Sequence, residues 1–383
     1  MADRSSQEPT GKTIRVLVVD DSALMRKLIP HILTQDPRIE VVATAMDGLF
    51  ALKKIPEFHP DVITLDVDMP RMDGLTTLPH IVRDYQIPVL VVSSLTERGA
   101  QMTFKALEMG AVDFLTKPKD AISTHIGEIG EELIRKVKSI ATVSRKKLKA
   151  APLQSPPMVH EKRAVPLGPA ATRVVAIGIS TGGPNALSEI LPQVPADFPA
   201  GMLIVQHMPE GFTEMFAARL NQISRVEVKQ AQDGDLVLPG RVLIAPGNRH
   251  LKVKKLRLGT IAMLSHGAAV SGHRPSADVL FASVAEEYGA EGIGVIMTGM
   301  GEDGAEGIGC MKAVGSLTIA QNEKSSVIFG MPKAAIKRGY IDQVLPLNEI
   351  VPTLRSALAG PTVGQAGPSP AEAVHAREDA GKA

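Results

Sequence analysis

The chain has 383 residues, 44% of them hydrophobic, which is enough apolar surface for the cores of two or three domains. Its 42 basic and 41 acidic residues leave a net charge of +1, so no global attraction to nucleic acid or to an anionic membrane is expected. The polar opening MADRSSQEPTGKT lacks the apolar core of a signal peptide, and no stretch approaches the ~18 apolar residues of a membrane span, so the expected location is the cytosol.

The first part of the chain alternates short apolar runs with amphipathic ones, the pattern of a parallel sheet wrapped by helices. Strands are predicted at Ile14–Val19, Glu40–Ala43, Val62–Leu65, Val89–Val92 and Ala111–Leu115, giving a five-stranded doubly wound domain. A sixth amphipathic segment, Ile122–Leu148, is long for one helix and becomes basic toward its end at Arg145, Lys146, Lys147 and Lys149. Residues 150–171 turn rich in Pro, Ala and Ser without hydrophobic periodicity, as an interdomain linker does.

A second alternation begins at Val174–Ile179 and continues with strands at Met202–Gln206, Val242–Ala245, Ile293–Thr298, Leu317–Ala320 and Ile341–Val344. Helices are predicted at Pro184–Leu191, Thr213–Leu220, Ser276–Tyr288, Asp303–Val314, Pro332–Lys337 and Leu347–Ala359. Between them His250–Leu264, broken at Gly259, reads as an antiparallel hairpin. The fold class is therefore α/β twice over: a doubly wound domain at 12–135, a helical extension and linker at 136–171, and a parallel-sheet domain with a hairpin at 172–359. The Gly, Pro and Ala rich stretch 360–383 is expected to be a disordered tail. Cys310, the single cysteine, excludes an intramolecular disulfide, and its Gly and Ala rich surroundings predict a small core residue.

Chemistry gathers at the strand ends. In the first domain Asp20 and Asp21 follow the first strand, Asp66 ends the third, Ser93 follows the fourth and Lys117 follows the fifth. In a doubly wound sheet these ends share the carboxyl edge, where ligands bind. Three carboxylates beside one lysine suit a hard divalent cation such as Mg²⁺, which would position a phosphoryl donor against Asp66 and neutralise the acyl phosphate formed there. In the second domain VVAIGISTGGP sets Ser180 in a glycine turn behind a strand, where Gly178, Gly182 and Gly183 permit a sharp exit. The spacing Gly178, Ser180, Gly182 matches the G-x-S-x-G nucleophile elbow, and a phosphate-cradling turn is the competing reading. A nucleophile needs a base and an orienting acid. His207 follows the neighbouring strand and is the candidate base, while Asp303 follows Ile293–Thr298, with Glu302 adjacent to it and Asp233 and Asp235 better explained as turn residues. Gly299, Gly301 and Gly304 also match G-x-G-x-x-G, which keeps a dinucleotide loop in competition. Their other use is to bring backbone N–H groups, that of Thr181 among the candidates, to an oxyanion.

VVDDSALMR, ITLDVDMPRMDG, VVSS and FLTKP resemble a response-regulator receiver domain. The resemblance implies Asp66 as phosphoacceptor, Asp20 and Asp21 as metal-site acids with the Asp68 carbonyl, Ser93 and Lys117 as phosphoryl partners, Phe114 as the aromatic switch, and Mg²⁺ as cofactor. GISTGGP, VQHMP, APGNRH, SGHRPSADVLF and MTGMGEDGAEG resemble the catalytic domain of the chemotaxis protein-glutamate methylesterases, which also deamidate receptor glutamines. That resemblance implies Ser180, His207 and Asp303 as a triad, the Met300 N–H as an oxyanion donor, Thr181 and His273 lining the site, and no cofactor in this domain. It also implies a chemotaxis histidine kinase as phosphodonor and methylated chemoreceptors as substrate. The domain order predicts that the unphosphorylated receiver covers the Ser180 face. A receiver joined to a nucleotide or redox module, or to a DNA-binding output, is the competing reading; no basic recognition helix is apparent.

Overall fold

The computed structural model describes residues 12–94, 96–117, 126–144 and 171–359. The expected disordered tail from residue 360 and nearly all of the expected linker lie outside these residues.

The first unit runs β1 (Ile14–Val19), α1 (Met25–Leu33), β2 (Ile39–Ala45), α2 (Gly48–Phe58), β3 (Val62–Asp66), α3 (Gly74–His80), β4 (Val89–Ser93), α4 (Glu97–Glu108), β5 (Asp113–Thr116) and α5 (Ile126–Ile140). Its five strands are parallel in the order β2-β1-β3-β4-β5, as predicted, so the chain reverses its direction of travel between β1 and β3. That crevice is where Asp20 and Asp66 end their strands. Helix α5 ends at Ile140, short of the end of the predicted amphipathic segment Ile122–Leu148, whose first residues, 122–125, are not among those described. Its last turn closes through Thr142, whose hydroxyl donates to the Ser139 carbonyl at 2.7 Å, and residues 145–148 are not among those described.

The second unit runs β6 (Val174–Ile179), α6 (Gly183–Ile190), β7 (Gly201–Gln206), α7 (Phe212–Ile223), β8 (Glu227–Gln230), β9 (Arg241–Ile244), β10 (His250–Leu256), β11 (Gly259–Ser265), α8 (Ala277–Tyr288), β12 (Gly292–Ile296), α9 (Ala305–Ala313), β13 (Leu317–Gln321), α10 (Met331–Lys337), β14 (Gln343–Leu345) and α11 (Leu347–Ala359). Seven strands form one parallel sheet, β14-β13-β12-β6-β7-β9-β8, and β10 with β11 forms the predicted antiparallel hairpin. The sequence reading missed β8, whose EVKQ is polar and sits at the sheet edge, where only Val228 is fully buried. Strand β6 is buried at every residue and lies between β12 and β7.

The glycines around Ser180 divide their work. Only Gly182 takes a left-handed conformation (φ 80°), which makes the turn into α6. Gly178 instead lets β6 approach α8, since a Cβ there would stand 2.7 Å from that of Ala277. Cys310 is exposed, contrary to expectation: α9 turns Ala305, Ile308 and Met311 inward, and that helical spacing carries position 310 to the outer face.

The two units share one apolar core. Phe104 of α4 packs on Phe212 and Phe216 of α7 (centroids 6.0 and 5.6 Å apart), and Phe114 of β5 stacks on Phe212 at 4.9 Å. All four rings are at most 4% exposed. Polar contacts ring them: Asn185 of α6 donates to the Leu107 carbonyl at 2.9 Å, and Arg219 of α7 pairs with Glu108 of α4. The receiver's α4–β5–α5 flank therefore lies against the second unit.

Candidate active site and phosphoacceptor pocket

In the first unit Asp20 and Asp66 are almost fully buried, and with the exposed Asp21 they offer carboxylate oxygens all within 4.8 Å of one another. Lys117 donates to Asp66 Oδ2 at 2.6 Å and stands 2.8 Å from Asp20 Oδ2. Burial raises Asp66 to about 6 against the opposing pull of Lys117, and the Asp20 charge adds to the rise. Lys117 is itself raised, because the two carboxylates outweigh its burial. Asp20 Oδ2 and Asp66 Oδ2 share the single Lys117 ammonium with Asp21 beside them, so three carboxylates meet one cation and the residues fit a hard divalent ion that would remove the excess negative charge. Ser93 ends β4 as expected, but its hydroxyl donates to the Gly99 carbonyl at 3.1 Å, into the start of α4. The Asp68 side chain is exposed and faces Arg98 at 3.5 Å, while its backbone N–H donates to Asp66 Oδ1.

In the second unit the ends of β12, β6 and β7 carry Asp303, Ser180 and His207. The Ser180 N–H donates to the Thr298 carbonyl (2.9 Å) and the His207 N–H to the Ile179 carbonyl (3.2 Å), which holds both backbones against the sheet. His207 Nε2 donates to Asp303 Oδ2 at 2.7 Å. Its Nδ1 is buried without a hydrogen-bond partner. Asp303 is 1% exposed, and burial alone would raise its pKa. The hydrogen bond and charge of His207, the Ser276 hydroxyl (2.6 Å) and the Ala277 N–H (2.7 Å) outweigh that effect and hold it at about 2. Ser276 occupies the N-cap position of α8 yet makes no cap to its own helix. Asp303 caps α8 instead, so its carboxylate takes the helix's free N–H groups and its positive dipole end.

His273 stacks flat on His207, with ring centroids 3.9 Å apart and an 8° interplanar angle. Burial first, and then the charge of His207, depress it to about 3. Ser180, Thr181, His207, His273 and Met300 line one cavity of about 280 Å³. The predicted site residues of this unit thus come together. Glu302 does not join them; it is exposed and pairs with Arg338. Asp233 accepts the Leu264 N–H and Asp235 the Lys229 ammonium, as loop residues do. The Gly299 N–H, a donor that a pyrophosphate would need, is spent on the Ile328 carbonyl at 3.0 Å, and the Gly330 and Met331 N–H groups are spent on the Gly299 carbonyl.

Sequence reasoning missed three residues. Gln206, 2% exposed, donates from Nε2 to the carbonyls of both Ser180 (3.2 Å) and His207 (3.1 Å), clamping the two backbones together. Its signal was its place as the last residue of a fully buried strand, directly before His207. Ser276 was hidden as the first residue of a predicted helix. Asp113 of β5 accepts the Thr181 hydroxyl at 2.7 Å and the Lys136 ammonium at 2.8 Å, and Lys136 also donates to the Phe114 carbonyl at 2.9 Å. Phe114, Glu132, Arg135 and Lys136 complete the wall of the Ser180 cavity, so the receiver closes over it.

An acidic phosphoacceptor-type pocket, joined to an α/β unit whose serine lies beneath it, defines a response regulator with a hydrolase output. Residues 175–354 match the family model for the CheB methylesterase, and residues 16–126 that for the response regulator receiver domain. The chain is 53% identical to a protein-glutamate methylesterase/protein-glutamine glutaminase of Koribacter versatilis, covering 88% of this chain and 94% of that one. It is 46% identical to a protein of the same name from Pyrococcus horikoshii, over 91% and 94%. The crystal structure of the Thermotoga maritima CheB methylesterase catalytic domain is 43% identical, with a TM-score of 0.48, covering 48% of this chain and 98% of that one. The chain belongs to the protein-glutamate methylesterase/protein-glutamine glutaminase family.

Proposed function

We propose that this protein hydrolyses glutamate γ-methyl esters, and deamidates glutamines, on chemoreceptors, under control of phosphorylation at Asp66. The observation that carries the reading is the His207–Asp303 pair lining up beside Ser180 at the carboxyl ends of adjacent strands, beneath the receiver.

Ser180 Oγ adds to the side-chain carbonyl carbon while its proton passes to His207 Nδ1. Asp303 holds the opposite ring nitrogen as N–H and stabilises the imidazolium that forms. The oxyanion is met by backbone N–H groups of Thr181 and Met300. Collapse breaks the C–O bond, and His207 returns its proton to the departing methanol. Water then adds to the acyl-enzyme with His207 as base and releases the glutamate. With glutamine the leaving group is ammonia and the residues keep their roles. His273, held neutral, supplies a flat wall that fixes the His207 ring.

The receiver, residues 12–135, is the control element; 136–171 connect it to the catalytic domain at 172–359. Asp20, Asp21, Asp66 and the Asp68 carbonyl would hold Mg²⁺, which supplies charge neutralisation for phosphoryl transfer when bound. Ser93 and Lys117 are the phosphoryl partners, with Ser93 turning from Gly99 to meet the phosphoryl group. A chemotaxis histidine kinase is the donor. Among the described residues no helix is long and apolar enough to cross a membrane, and we place the enzyme in the cytoplasm, acting on the cytoplasmic helices of its receptors.

Methanol release from methylated receptors tests this. Ser180→Ala should lower turnover by about 10⁴ or more while leaving phosphorylation intact. Asp66→Asn should abolish the response to a small phosphodonor and keep the basal rate. Retention of most activity by Ser180→Ala would remove the triad assignment.

A further inference from the structure

Among the described residues, every exposed large apolar side chain of the receiver lies in one region: Leu24 (55% exposed), Met46 (43%), Leu49 (50%) and Phe50 (40%). They come from three chain segments that meet at the rim of the Asp66 pocket. Leu24 starts α1, four residues beyond Asp20; the Ser22 N–H between them binds Asp20 Oδ1 at 2.9 Å. Met46 follows β2, where the Asp20 N–H donates to the Ala45 carbonyl at 3.1 Å. Leu49 and Phe50 open α2, whose Gly48 N–H donates to the Met72 carbonyl in the loop that follows Asp66. Arg71 of that loop lies 5.5 Å from the Phe50 ring centroid and pairs with Asp47. An apolar group of this kind, continuous with a reactive pocket, marks a surface that a partner covers.

The opposite flank is closed. Helix α4 and strand β5 give Phe104 and Phe114 to the shared core, and Asp113 to Thr181, so a donor that meets the unphosphorylated protein finds α4–β5–α5 already occupied. Resting on the functional reading above, we propose that the kinase delivers its phosphoryl group from the α1–α2 flank, docking an apolar surface that carries a phosphohistidine onto Leu24, Met46, Leu49 and Phe50. The cationic fringe of Arg71 and of Lys53, 5.8 Å from the Phe50 ring, suits the negative charge around that phosphohistidine. In the transfer an Asp66 carboxylate oxygen bonds to phosphorus as the P–N bond breaks, and the electron pair returns to the donor imidazole.

The test compares two donors: the chemotaxis histidine kinase phosphorylated from ATP, and acetyl phosphate, which needs no docking. Leu49→Glu and Phe50→Ser should each slow transfer from the kinase by about tenfold or more. Their labelling by acetyl phosphate should stay within about twofold of wild type. Leu24→Glu, on a different helix, carries the same expectation and decides the matter if an α2 variant disturbs the pocket. Asp113→Ala, which opens the covered flank, should leave the kinase rate within about twofold of wild type. Unchanged kinase transfer in the three rim variants, or a large acceleration by Asp113→Ala, would overturn the proposal. Failure of acetyl phosphate to label the wild type at Asp66 would instead count against the functional reading.

Discussion

Replacing Asp113 by alanine removes the contact that reaches from the receiver to the residue beside the nucleophile. The Asp113 carboxylate is 5% exposed and accepts the Thr181 hydroxyl at 2.7 Å and Lys136 at 2.8 Å. A hydrogen bond to a charged group is worth about 1.5–3 kcal/mol, so losing the Thr181 contact should shift the closed-to-open ratio by a factor of about 10 to 150. Lys136 keeps the Phe114 carbonyl at 2.9 Å and Glu132 at 3.7 Å, which limits the penalty of leaving its charge behind. Basal methanol release should rise by the same factor until the open form dominates, and a phosphodonor should then add correspondingly less. Asp113→Asn, which keeps an acceptor oxygen without the charge, should fall between. The assay is methanol release from methylated receptors without phosphodonor, alongside a catalytic piece beginning near residue 165. If Asp113→Ala keeps the wild-type basal rate while that piece is faster, the Thr181 contact does not hold the domains closed.

Gln206→Ala strips a shared donor from the buried carbonyls of Ser180 and His207; it should cost about 1–3 kcal/mol in denaturant unfolding and lower kcat more than it raises KM. Asp303, at about 2 when folded, lies below its ordinary 3.8, so its stabilisation is complete above the unfolded value and disappears as pH falls toward 2. Ser276→Ala should raise the folded value, so that this loss begins at higher pH in acid unfolding, and Ser276→Thr should restore it. His273, at about 3 when folded against 6.5, fails to take up a proton that the unfolded chain binds; its contribution to stability therefore falls as pH drops below 6.5, with a slope of up to about 1.4 kcal/mol per pH unit. His273→Phe should abolish that slope in matched denaturant titrations and add no new limb to the pH profile of kcat/KM.

The chemistry-bearing residues were legible because a parallel sheet sends the end of every strand to one edge. Ser180, His207 and Asp303 each follow a buried run, and the same logic gathered Asp20, Asp66 and Lys117. Gln206, Ser276 and Asp113 were not legible, because each acts on a partner far along the chain: Asp113 reaches Thr181 across the domain boundary, and Ser276 spends its hydroxyl on Asp303, 27 residues on. The misplacement of Cys310 has a simple cause. Glycine and alanine richness sets how closely a helix packs, while the spacing of Ile308 and Met311 sets which side is inside. For the same reason the glycines around Ser180 looked like one turn, although Gly182 makes the turn and Gly178 makes room for α8.

Strand β6 lies between β12 and β7, and this lateral order has a consequence for how the enzyme could be rebuilt. Ser180, His207 and Asp303 are neighbours because their strands run side by side, about 4.8 Å apart, and not because of the order in which the chain visits them. Their meeting is thus a property of the sheet's cross-section. Cutting the chain at a turn on the far edge, such as the one between Pro195 and Phe198, and joining its ends elsewhere would change the reading order of serine, histidine and aspartate while leaving their meeting point in place.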